Sequence, residues 1–117
     1  MKDDRVYLQH VRDSVQRIQE YTALGQAVFF ADSKTQDAVV RNLEIIGEAV
    51  KRVSDQVKLR YPAIPWKLIA GMRDKLIHDY FGVNLHLVWD VVVRELPRLD
   101  EAVKALLRTL EPPAESV

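Results

Sequence analysis

The sequence predicts an all-α protein, an antiparallel four-helix bundle folded as one domain. Three observations predict it. Apolar residues recur at three- and four-residue steps over most of the chain, as one face of a helix requires. Glycine, proline and capping residues punctuate those stretches at intervals that leave four helices. No segment shows the two-residue alternation and hairpin signals of a strand. At 117 residues the chain suits a single modest core, here assigned to residues 1–111, with 112–117 as a flexible tail.

The first helix is expected over about residues 3–24, where Leu8, Val11, Val15 and Ile18 set the stripe and Gly25 stops it. The second begins at Asp32 or Ser33, with Ser33 and Gln36 spaced as a capping box. Val39, Leu43, Ile46, Val50, Val53 and Val57 carry its face to about Arg60, ahead of the Pro62–Pro65 elbow. Pro65 opens the third, in the first-turn position where its missing N–H costs nothing. Trp66, Ile69, Met72, Leu76 and Tyr80 then align, and Gly82 ends the helix. Gly47 and Gly71 fall inside helices, each costing about 1 kcal/mol relative to alanine, which close helix approach would explain. Asn84 caps the fourth helix, whose apolar register runs from Leu85 to Leu110 past Pro97. A register that survives proline implies a kink near Pro97 rather than a break.

Composition narrows the function. No cysteine is present, so disulfides, thiol nucleophiles and thiolate metal sites are excluded. The charged opening lacks a signal peptide's apolar core, and no apolar run approaches membrane length, so a cytoplasmic protein is expected. Seventeen basic and seventeen acidic residues cancel. Nucleic-acid binding, which is driven by neutralising phosphates, would therefore need a local basic patch.

One segment concentrates chemistry: Arg73-Asp74-Lys75-Leu76-Ile77-His78-Asp79-Tyr80. Histidine titrates near neutrality and can take a proton from a ribose 2′-hydroxyl or return one to a leaving 5′-oxygen. Arginine offers a fixed charged fork to phosphoryl oxygens. On a helix, Asp74 and His78 are one turn apart and so neighbours. Arg73 and Tyr80 lie about 20° apart around the axis and about 10 Å along it, whereas Arg73 and His78 diverge by roughly 140°. One straight helix therefore does not aim Arg73 and His78 at a common atom. Either the helix loosens near His78 or a second copy of the chain completes the site. Taken alone, composition and spacing favour a solvated helix end. His10 and His86 have no such company and are expected on the surface or in packing. Glu44, Glu48, Lys51 and Arg52 are open to two readings, a helix-surface charge pair or the lining of a cleft or interface.

Arg73, His78 and Tyr80 match the R-x4-H-x-Y pattern of the HepT-like ribonucleases, toxins of the HEPN superfamily. The resemblance extends over about residues 3–110. It includes Asp3-Asp4-Arg5-Val6-Tyr7-Leu8, the Arg41–Ala49 stretch with its Ile-Gly-Glu-Ala, Pro65-Trp66 and Val88-Trp89. It implies an HEPN-like bundle and a homodimer whose two motifs face a shared cleft. It also implies that Arg73 and His78 cleave RNA without metal or cofactor, leaving a 2′,3′-cyclic phosphate. Tyr80 matches the position where a partner, an MntA-like nucleotidyltransferase antitoxin, attaches AMP. Asp74, Lys75 and Asp79 would be supporting residues. The alternative is a non-catalytic subunit that binds the nucleotidyltransferase and recognises a nucleotide or RNA without cutting it.

Overall fold

The computed structural model describes residues 3–72, 74 and 84–110. Among them the chain is helical, with no strand. Helix α1 spans Asp4–Tyr21, α2 Gln26–Ala31, α3 Ser33–Arg52, α4 Asp55–Lys58, α5 Trp66–Ala70, α6 Leu85–Asp90 and α7 Leu96–Thr109. Helices α6 and α7 are joined without a gap by a π-helical turn, Val91–Glu95.

Helix α1 packs against both α3 and α7, and polar anchors at its N-terminus show both pairings to be antiparallel. Ser54, just past the end of α3, donates to Asp4 from its backbone N–H (2.9 Å) and its hydroxyl (2.8 Å). The Arg5 guanidinium donates to the Leu107 and Leu110 carbonyls at 2.8 and 3.0 Å. It thereby serves two of the carbonyls that a helix C-terminus leaves without partners. Between the rods lie Leu8, Val11, Val15 and Ile18 of α1, Val39, Leu43, Ile46 and Val50 of α3, and Leu96, Leu99, Val103 and Leu106 of α7, all buried. These are the expected stripes.

The helix boundaries differ from expectation in four places. Helix α1 ends at Tyr21, and Gly25 does not merely stop it. With φ at +98° Gly25 starts α2, in a backbone region that side-chain-bearing residues avoid. Helix α2, unexpected from periodicity, buries Phe29 completely.

The cap of α3 is Asp32 alone, accepting from the Lys34 N–H and the Thr35 hydroxyl. Ser33 is already helical. The Ser33–Gln36 box does not form, because the Gln36 amide donates to the Phe29 and Phe30 carbonyls and ties α2 down.

Helix α3 stops at Arg52 rather than Arg60. Val53 is extended, and Ser54 caps the separate turn α4. Val53 and Val57 remain buried, so the apolar spacing outlasts the helix that it implied.

The third helix is interrupted at Gly71, the C-cap of α5, after which Met72 and Asp74 are again helical. Pro65 precedes α5 as its N-cap rather than standing inside it.

In the fourth, Asn84 caps as expected, accepting from the Leu87 N–H at 3.1 Å. The irregularity that Pro97 requires is taken up by the π turn before it, where the Leu96 N–H reaches back five residues to Val91. A widened turn relieves the clash between a proline ring and the preceding carbonyls. It also suits the successive four-residue steps Val88–Val92–Leu96, which in α-helix would drift about 80° off the stripe. All three are buried. The tail 112–117 lies outside the described residues.

Candidate functional site

The chain approaches the motif through α5, and packing sets the angle. Trp66 is buried, and its indole N–H donates to the Lys58 and Tyr61 carbonyls, both at 3.0 Å. This one donor folds the Pro62–Pro65 elbow back onto the end of α4. Ile69 is buried, and Met72 packs against the core from a partly buried position. The predicted face of Trp66, Ile69 and Met72 therefore holds up to the motif's edge.

Of the predicted site residues, Asp74 is described. It is exposed, and its carboxylate lies 3.9 Å from the Lys51 ammonium of α3. Lys51 also lies 3.8 Å from Glu48, one turn back on its own helix. Glu48, Lys51 and Asp74 thus form a line of alternating charge that links the last turns of α3 to the residue following Arg73. The helix-surface reading holds for Glu48 and Lys51, and their line of charge extends to Asp74. The other expected site residues, Arg73, Lys75, His78, Asp79 and Tyr80, lie outside the described residues.

Beyond the motif the chain re-enters at Asn84. The exposed His86 ring stands 4.7 Å from that of Phe30 on α2, and Trp89 stands 5.3 Å from Phe29. His86 is thus a surface histidine in an aromatic contact. His10 likewise is exposed, edge-on to Tyr7. Among the described residues no three histidine, aspartate or glutamate side chains converge as a metal site, and no helix is long and apolar enough to cross a membrane. The Asp32 carboxyl is held below the usual range by the Thr35 hydroxyl and the Lys34 N–H. That is a capping effect, remote in sequence from the motif.

A helical bundle that presents the start of an R-x4-H-x-Y segment beside a charged helix face is the class of protein defined so far. Residues 11–106 match the family model for Ribonuclease HepT-like proteins. The chain belongs to that family.

A Thermococcus cleftensis protein named "Probable ribonuclease HepT" is 45% identical over 94 residues, covering 80% of this chain and 86% of the relative. A Caldanaerobacter subterraneus subsp. tengcongensis protein, named as an RNase candidate, is 42% identical over 109 residues, covering 92% and 97%. A third relative, from Methanocaldococcus jannaschii, carries the name gamma-glutamylcyclotransferase together with an RNase designation. It is 43% identical over 111 residues, covering 94% of this chain, which spans about 50% of that protein. No solved structure matches the chain significantly.

Proposed function

We propose that this chain is a ribonuclease, a metal-independent RNA endonuclease acting as the toxin of a toxin–antitoxin pair. The observation that carries the reading is the spacing of Arg73, His78 and Tyr80 inside the span that matches the HepT-like family. Relatives aligned over most of their own length and named for RNase activity support it.

In this reading the ribose 2′-oxygen attacks the adjacent phosphorus and the bond to the 5′-oxygen breaks, leaving a 2′,3′-cyclic phosphate and a 5′-hydroxyl. His78 takes the 2′-proton or protonates the leaving oxygen. Arg73 neutralises the phosphoryl oxygens as charge builds on them. A homodimer in which two copies contribute to one cleft, as the resemblance implies, would also meet the roughly 140° divergence of Arg73 and His78 on a regular helix. Asp74, Lys75 and Asp79 support the pair.

Tyr80 is the point of control. A nucleotidyltransferase antitoxin attaches AMP to its phenol, adding bulk and negative charge that, on a regular helix, would lie on the side of Arg73 and compete with the RNA backbone.

Purified protein incubated with total RNA in EDTA tests the catalytic reading. Cleavage should survive the chelator and vanish in His78→Ala. If His78→Ala cuts as fast as the parent, the assignment fails. If the parent binds RNA tightly and never cuts it, the chain is instead a non-catalytic binding subunit of its nucleotidyltransferase.

A further inference from the structure

Charge is unevenly distributed along this neutral chain. From 51 to 67 it carries Lys51, Arg52, Lys58, Arg60 and Lys67 against one carboxylate, Asp55. The fold makes this stretch a surface. Val53, Val57, Ile64 and Trp66 anchor it in the core, its charged residues lie wholly or partly exposed, and at its start Lys51 meets Asp74, the residue after Arg73, at 3.9 Å.

Between α4 and α5 lies a groove of about 610 Å³, lined by Lys58, Lys67 and a single carboxylate, Asp55, together with Leu59, Pro62 and Pro65. Leu59 is 75% exposed. Lys51 is paired with Glu48 and Asp74, and Arg60 donates to the Thr109 hydroxyl. Among the described residues, Arg52, Lys58 and Lys67 have no carboxylate in ion-pair reach.

Two lysines that outnumber the one carboxylate of the groove and pair with none, beside the exposed Leu59, complement a flexible polyanion that also has apolar faces. Single-stranded RNA has both, its phosphates for the ammonium groups and its bases for the apolar floor. A second copy of the chain would also cover Leu59. A symmetric contact here, however, would set two stretches of the same net positive charge, residues 51–67 of each copy, against each other, which is unfavourable. We propose that the α4–α5 elbow binds the phosphate backbone of single-stranded RNA and leads it to the motif that opens at Arg73. The identity of the ligand rests on the ribonuclease reading.

The test is binding of a short, fluorescein-labelled 2′-O-methyl single-stranded RNA, which lacks the attacking hydroxyl, titrated at several salt concentrations. The parent is compared with Lys58→Gln/Lys67→Gln and with Lys58→Arg/Lys67→Arg, after their melting midpoints are shown to agree. The glutamine pair should flatten the slope of log affinity against log salt by about 1.4, at about 0.7 per lost phosphate contact. The arginine pair should keep the parent slope.

An unchanged slope in the glutamine pair overturns the site, as does a parent that does not bind this RNA. If the parent also cleaves natural RNA while the slope is unchanged, the ribonuclease reading stands and the elbow proposal falls. If the slope flattens but the parent never cleaves, the elbow stands and the catalytic reading falls. A glutamine pair that alters only the particle's mass in solution marks the elbow as a protein contact and overturns the proposal.

Discussion

Lys51, on the last turn of α3, reaches across to Asp74, the residue that follows Arg73, at 3.9 Å. The pair is solvent-exposed on both sides, so its worth to stability is small, and its interest lies in what it joins. Lys51→Ala should cost less than about 1 kcal/mol in urea unfolding. In the proposed ribonuclease it should nonetheless slow RNA cleavage, with Lys51→Arg restoring the rate. Parent-like cleavage by Lys51→Ala would show that the link does not position the motif.

Asp4 is the stronger anchor, because a charged acceptor takes two hydrogen bonds from Ser54 in a part-buried setting. Asp4→Ala should destabilise the fold by about 2 kcal/mol. Asp4→Ala/Ser54→Ala should cost clearly less than the two single changes added together, since both remove one interaction. Strict additivity in a double-mutant cycle by denaturant unfolding would contradict the coupling.

The elbow depends on the indole of Trp66. Trp66→Phe keeps an aromatic ring, smaller than the indole, but leaves the Lys58 and Tyr61 carbonyls without this donor, at a cost of about 1–3 kcal/mol. Phe29→Ala, at a completely buried position, should cost about 3–5 kcal/mol. That change reports on a helix that the apolar pattern did not announce.

Asp32 should make stability depend on pH in acid. Its carboxyl is held below the ordinary value of 3.8 by the Thr35 hydroxyl and the Lys34 N–H. A lowered folded-state value means the contribution is fully present above the unfolded value and is lost as pH falls through the folded one. Thermal unfolding followed from pH 5 downward should show this loss in the parent. Asp32→Asn, which can still cap, should show a smaller one. Equal acid sensitivity in both proteins would remove Asp32 from the account.

Tyr80 carries the proposed control. The intact mass of the chain co-expressed with a nucleotidyltransferase partner should rise by whole AMP units, and Tyr80→Phe should prevent the rise. An unshifted parent mass under those conditions would refute modification at this residue.

The core was legible because burial follows periodicity. Leu8, Val11, Val15 and Ile18, like Leu99, Val103 and Leu106, are buried where the spacing put them. Breaks between helices were much less legible. Val53 and Val57 keep helical spacing across an extended residue, because both sides of the break still face one core. Gln36 was misassigned since its amide has two possible backbone targets, and only the position of α2 chooses between them. Of the site, Asp74 is seen against Lys51, while Arg73, His78 and Tyr80 rest on their spacing and on the family match.

By itself the sequence determined the helical class, the buried stripes, the Asn84 cap and the motif, since each depends on residues within a turn or two of one another. The tertiary structure alone decided that Lys51 meets Asp74, that Arg5 caps α7 and that Trp66 closes the elbow. It also brought Lys58 and Lys67 to one groove with Asp55, Leu59, Pro62 and Pro65. These contacts join residues far apart in the chain or on separate elements, and local spacing carries no information about which helix will lie alongside which.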